Sequence, residues 1–195
     1  SAASDVYKRQ VWDGDTPVDQ EVAAQLSKES LVKVVERFHP RRALCCSVTG
    51  NGRRIAQWLC TQGVDAREVH YDMPLPLVLD YATPHTLGED RIAAAVGAWS
   101  LFPGCNSLVV DMGTAVTYDL VSADGHFRGG NIAPGIGMRL RSLHSFTARL
   151  PEVVGYGDTP LLGTDTATAM RAGAVRGVVS EIAYYRSHLP ADTRI

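Results

Sequence analysis

The sequence predicts an α/β protein built as two lobes joined near residue 105. Ahead of that point the apolar pattern alternates helix, strand, helix, strand; behind it come short apolar strands in succession with helices after them. The pair Asp124-Gly125 between the last two of those strands is a hairpin signal. The expected lobes are 1–105 and 106–195, and a cleft between two lobes is a natural place for a small molecule.

Segment 18–38 reads as an amphipathic helix, with Leu31, Val34, Val35 and Phe38 at i, i+3, i+4, i+7 and Pro40 to end it. The run ALCCSV (43–48), bounded by charge and by Gly50, suits a buried strand. A helix over 51–62 and a strand over 66–72 follow. Residues 73–87 carry Pro74, Pro76 and Pro84 and read as a loop or extended crossing. From Gly88 an alanine-rich helix runs to about Phe102, closed by Pro103-Gly104. Strands are expected at 107–111, at 115–121, and through Phe127 toward Ile132. A helix over 136–149 starts after Pro134-Gly135 and stops at Pro151. A glycine-rich loop leads to a last helix, about 165–188, with Ala167, Met170, Ala174, Val178, Ile182, Tyr185 and Leu189 on one face.

Composition removes several function classes. The 195 residues include 19 basic and 21 acidic side chains, 45% are hydrophobic and 21% charged, which describes a globular chain and not a disordered one. A net charge of −2 leaves no basic footprint for nucleic acid. No apolar run reaches the ~18 residues of a membrane-spanning helix, and the N-terminus lacks the apolar core of a secretion signal. Cys45, Cys46, Cys60 and Cys105 form neither a CxxC pair nor a dense disulfide framework, and the histidines lack zinc-ligand spacing. A cytoplasmic protein is expected.

Four segments carry chemistry. Asp111-Met112-Gly113-Thr114-Ala115 closes an apolar strand: Gly113 lets backbone N–H groups approach an anion, Thr114 adds a hydroxyl, and Asp111 can hold a cation. The same residues equally suit an ordinary hairpin turn. In YATPHTLGEDR (81–91), Asp90 and Arg91 fall in the first turn of a helix, where Asp90 could take a proton from a hydroxyl and Arg91 could grip an anion in bidentate fashion. A capping carboxylate beside a solvated arginine is the plainer alternative. Gly129-Gly130-Asn131-Ile132-Ala133-Pro134-Gly135 lets a ligand or a neighbouring backbone come close, or simply turns a strand into a helix. Gly163-Thr164-Asp165-Thr166 precedes the last helix, where Thr164 or Asp165 would cap it. Gly173 and Gly177 within that helix permit close packing, in one chain or across a dimer seam.

Together YATPHTLGEDR (81–91), VVDMGTAVTYDLV (109–121), DGHFRGGNIAPG (124–135), SLHSFTARLP (142–151) and LLGTDTATAMRAG (161–173) resemble the type III pantothenate kinases of bacteria. The resemblance implies an actin-like ATPase fold with two ribonuclease H-like lobes facing each other across a cleft. It implies transfer of the ATP γ-phosphoryl group to the terminal hydroxyl of pantothenate, giving 4'-phosphopantothenate in the first step toward coenzyme A. It implies Asp90 as general base; Tyr81, Gly88, Glu89, Asp90 and Arg91 as the pantothenate-binding segment; Asp111 as ligand of a monovalent cation, potassium or ammonium; and Thr114 with Gly113 at ATP. Thr166 is implied to reach pantothenate from the second subunit of a homodimer, with Mg²⁺ accompanying ATP.

The resemblance also implies an N-terminal DxGN-type phosphate loop that does not occur ahead of Trp12, and a late glycine-rich nucleotide loop beyond Ile195. Residues 1–10, SAASDVYKRQ, read as a leader joined ahead of Val11-Trp12-Asp13-Gly14-Asp15. The chain is therefore expected to be an incomplete copy, inactive as a fragment. The rival from another class is a non-catalytic dimeric module on the same fold, binding a small molecule or regulator.

Overall fold

The computed structural model describes residues 7–24, 27–47, 50–155 and 157–195. Contacts divide the chain into two units, Ser1–His70 and Tyr71–Ile195. Units of contact and lobes of a family fold are different partitions, and helix α3 (Glu89–Leu101) shows why. It precedes residue 105, yet packs on strands of the second unit.

In the first unit β1 (Tyr7–Asp13) and β2 (Thr16–Ala23) form an antiparallel hairpin. Its two-residue turn places Gly14 at φ 57°, a left-handed value that glycine adopts without steric cost. Residues 18–23 are thus strand, not the start of a helix. Their alternation aims Asp19 and Glu21 at Arg9, at 2.7 and 3.1 Å. The helical periodicity holds only for α1 (Lys28–Phe38), which begins where the Ser27 hydroxyl accepts the Ser30 N–H at 3.0 Å. Beyond it β3 (Arg42–Cys45) and β4 (Asp65–Glu68) pair in parallel through α2 (Gly52–Thr61). Ala56, Leu59, Val64 and Ala66 form the core there. The strand expected at 66–72 is shorter and begins one residue earlier.

The second unit is built on a mixed four-stranded sheet in the order β5-β8-β7-β6. β6 (Ser107–Met112), β7 (Ala115–Val121) and β8 (His126–Pro134) form the expected meander, and β5 (Val78–Leu79) adds in parallel to β8. Strand alternation sorts β7 into two faces. Leu108, Val116 and Tyr118 pack against Val178, Ile182 and Tyr185 of α5 (Thr166–His188) and against Leu189 just beyond its end. Thr117 and Asp119 point the other way, toward α3. The register sets Asp111 opposite Thr117 and Gly130 opposite Asp119, so Asp111 shares the α3 face. α4 (Ile136–Ser145) packs on α5 around Leu140, Met170 and Ala174, and ends four residues before the expected 149.

The glycines divide by what surrounds them. A Cβ on Gly130 would run into the Tyr118 carbonyl and the Asp119 carboxylate, whereas one on Gly97, mid-α3, would meet nothing within 4 Å. Gly97→Ala should therefore stabilise the protein by about 0.5–1 kcal/mol through helix propensity. Gly130→Ala should destabilise it by about 1–3 kcal/mol through forced repacking. Urea unfolding midpoints of the two variants check both signs.

Candidate active site

The segment 81–91 is shaped by proline and by short-range hydrogen bonds. Thr83 precedes a 3-10 turn, Pro84–Thr86. There the Thr86 N–H donates to the Thr83 carbonyl at 2.9 Å, and the two threonine hydroxyls meet at 2.7 Å. Gly88 then starts α3, which puts Glu89 and Asp90 in its first turn. Asp90 bends back on itself: its Oδ1 accepts the Arg91 N–H at 2.8 Å, and a Cβ on Gly88 would lie 2.5 Å from that oxygen. A carboxylate satisfying an orphan N–H at a helix start is favoured by both the hydrogen bond and the dipole. Oδ2 of the exposed Asp90 is left as the oxygen that a hydroxyl could approach.

Arg91 is not the solvated arginine of the plainer alternative. Its side chain is 6% exposed and faces Asp119, 1% exposed. Nε donates to both Asp119 oxygens at 3.1 Å, and Nη2 donates to Oδ1. The side-on edge of the guanidinium is therefore spent inside the protein, and Tyr81 is a further side-chain hydrogen-bond partner. Its Cζ lies 5.7 Å from the Tyr81 ring centre and 5.8 Å from that of Phe127. Those two rings meet edge to face at 6.0 Å. The hydrogen bonds to Asp119 outweigh burial and hold the guanidinium above its ordinary pKa. Among the described residues Arg91 and Asp119 are the buried charged side chains.

The turn Gly113-Thr114 joins β6 to β7. Gly113 N–H donates to the Ala115 carbonyl at 2.9 Å, and Gly135 N–H donates to the Thr114 carbonyl at 3.0 Å. A Cβ on Gly135 would strike both Gly113 and Thr114 carbonyl oxygens, so Gly135 is where the chain must be smallest. The glycine-rich segment 129–135 thus accommodates neighbouring protein, Asp119 through Gly130 and the turn through Gly135. Asp111, Gly113 and Thr114 are exposed around that turn. Carboxylate, hydroxyl and carbonyl oxygens are the hard donors that a potassium-like cation takes. Among the described residues no three His, Cys, Asp or Glu side chains converge. Asp111, the Thr114 hydroxyl and the carbonyls of the turn are the residues that could hold a cation here.

Thr166 opens α5, behind a capping box in which Asp165 accepts the Thr168 N–H at 2.9 Å. The later part of α5, through Val178, Ile182 and Tyr185, packs on the sheet face opposite α3. Gly173 has open space beside it, and Gly177 makes room for the Arg139 guanidinium. Arg139 Nη2 donates to Glu181 at 2.6 Å, and its Nε donates to the Pro134 carbonyl at 2.7 Å. Tyr118 donates to the same carboxylate at 2.6 Å. Burial and this carboxylate push the Tyr118 phenol above its ordinary pKa. Asp119 has no role assigned from sequence, because its partner Arg91 lies 28 residues away.

One sheet thus presents a helix-start carboxylate and an oxygen-rich hairpin turn on the same face, an arrangement suited to a phosphotransferase. The sequence model of type III pantothenate kinase matches residues 4–188. A type III pantothenate kinase of Phocaeicola vulgatus is 39% identical over 184 residues, covering 94% of this chain and 76% of the relative. That of Bacteroides fragilis is 39% identical over 180 residues, covering 92% and 74%. The chain belongs to the type III pantothenate kinase family. A solved Campylobacter jejuni protein, described as of the Baf family of transcriptional activators, superposes with a TM-score of 0.54 at 19% identity. It covers 84% of this chain and 70% of that one, and the likeness is one of fold. No helix among the described residues is long and apolar enough to cross a membrane.

The Asp165 cap should leave a mark on acid stability. The Thr168 backbone and side-chain hydrogen bonds hold its carboxyl below the ordinary value. Its contribution is thus complete above the unfolded-chain value, about 3.9, and is lost as pH falls through the lower folded value. Asp165→Ala should melt below wild type at pH 7, with the gap closing below about pH 4. Thermal midpoints across pH 3–7 measure it.

Proposed function

We propose residue roles for the reaction that the family catalyses, ATP-dependent phosphorylation of pantothenate in coenzyme A biosynthesis. The reading rests on one observation: the LGEDR helix start and the DMGTAVTYD strand occupy the same face of one sheet. The primary hydroxyl of pantothenate attacks the γ-phosphorus of ATP, the bond to the β-bridging oxygen breaks, and ADP leaves. Asp90 Oδ2 takes the hydroxyl proton while Oδ1 stays on the Arg91 N–H. Phosphoryl transfer through a loose transition state asks little of a base until late. Positioning and neutralisation of charge supply most of the rate.

Tyr81, Gly88, Glu89 and Arg91 complete the pantothenate-binding segment in this reading. Thr114 and Gly113 meet ATP. Asp111 would hold potassium or ammonium, which would offset phosphate charge, and Mg²⁺ would accompany ATP. Thr166, at the start of α5, acts on the site of a second subunit in this reading, hence a homodimer. Two ribonuclease H-like lobes of the actin-like ATPase type, 1–105 and 106–195, are the corresponding architecture, and the cytoplasm is the corresponding location.

Asp90→Asn should lower turnover by about 10²–10⁴-fold with the melting midpoint little changed. ATP-dependent formation of phosphopantothenate, with magnesium and potassium present, is the assay. Near-normal turnover would remove Asp90 from the base role. Asp111→Ala should flatten the dependence of the rate on potassium or ammonium concentration; an unchanged cation profile counts against the assignment.

A further inference from the structure

The deepest charged group of the second unit has no part in the roles above. Asp119 is 1% exposed, and both its oxygens face Arg91. We infer that Asp119 is a positioning residue for phosphoryl transfer: it fixes the Arg91 side chain and, through the Arg91 backbone, sets the carboxylate of Asp90. The inference rests on the reading of Asp90 as the base.

The connection runs through consecutive hydrogen bonds. Two guanidinium nitrogens of Arg91 bind the two oxygens of Asp119, so the group can neither rotate nor slide without losing one of them. The Tyr81 and Phe127 rings close on that guanidinium. Because the side chain is pinned, so is the peptide that carries it. Its N–H is the donor at 2.8 Å from Asp90 Oδ1. Gly88 lies close beneath that oxygen, and a side chain there would displace it. The Asp90 carboxylate is thus oriented by the Arg91 N–H, and Arg91 is placed by a residue on a strand 28 positions later.

A pair serving stability alone would need none of this alignment with the helix start. The chemistry also restricts the substitutes. Asparagine at 119 keeps the shape but presents an NH₂ to guanidinium donors. Lysine at 91 keeps the charge but cannot span both oxygens.

The test uses Asp119→Asn and Arg91→Lys in the full chain, with backbone amide hydrogen exchange as the primary readout. Exchange at residues 89–92 should accelerate by about tenfold or more, the scale of a lost charge-assisted hydrogen bond. Exchange at 166–169, behind the unrelated Asp165 cap, should stay within about twofold, which is measurement scatter on the same free-energy scale. In the kinase assay kcat should fall while KM for ATP is held. Uniform acceleration at both helix starts overturns the inference, as does unchanged exchange at 89–92. If Asp119→Asn does not fold, Arg91→Lys retains both charges, and its exchange at 89–92 decides by the same criterion. Asp90→Asn assayed alongside separates the two readings. Full turnover there removes the base assignment, whereas lost turnover with unchanged kcat in folded Asp119→Asn removes the positioning role alone.

Discussion

A guanidinium and a carboxylate, both withdrawn from water, meet between α3 and β7, and much of the second unit is arranged so that they stay together. Either ion left alone at that depth would carry an uncompensated desolvation cost of several kcal/mol. The pair is tolerable because its geometry is side-on and doubly bonded, and because the sheet makes space for it. Gly130, directly opposite Asp119 in the β7–β8 register, is without a side chain where one would strike the carboxylate. Gly129 beside it sits at φ 95° where the register shifts, and Tyr81 and Phe127 lie over the guanidinium. Helix, strand, bulge and aromatic pair are parts of one solution to one electrostatic problem.

The opposite face solves a related problem with more exposed groups. Glu181 on α5 collects hydrogen bonds from Tyr118 on β7 and from Arg139 on α4, and Arg139 also ties down the Pro134 carbonyl at the end of β8. The next residue, Gly135, is the one pressed against the Gly113-Thr114 turn. Both turns that carry candidate chemistry are therefore braced from behind. The Asp90 turn is held by a pair on the α3 face, and the Asp111 turn by a network on the α5 face. Preorganisation of this kind suits phosphoryl transfer, in which the protein contributes placement more than covalent chemistry.

Much of this architecture was legible in the residues, and the failures have physical causes. The meander from 107 to 134 was readable because each strand is a short apolar or alternating run between unmistakable turns. Helix α3 was readable from its alanines and from Gly88. The hairpin of residues 7–23 was not, because Asp19 and Glu21 occupy positions where a strand pattern leads one to expect apolar groups. They face Arg9 and satisfy it, so charge pairing stands in for hydrophobic alternation. Asp90 and Asp111 could be singled out from local chemistry, since each stands at an element terminus. Asp119 could not, because its role depends on a partner far away in sequence. Gly177 does permit close packing of a neighbouring helix, and its space is taken by the Arg139 side chain of α4.

The tight nesting of Arg91, Asp119 and Gly130 also bears on how such sequences can drift. A larger residue at 130 is barred while 119 is acidic, and a neutral residue at 119 strands the charge at 91. A neutral residue at 91 strands the charge at 119. Each single replacement within the trio leaves a buried charge unpaired or a clash unrelieved. The three positions should therefore covary as a block among related chains, while their neighbours on the exposed rim of the same sheet change independently.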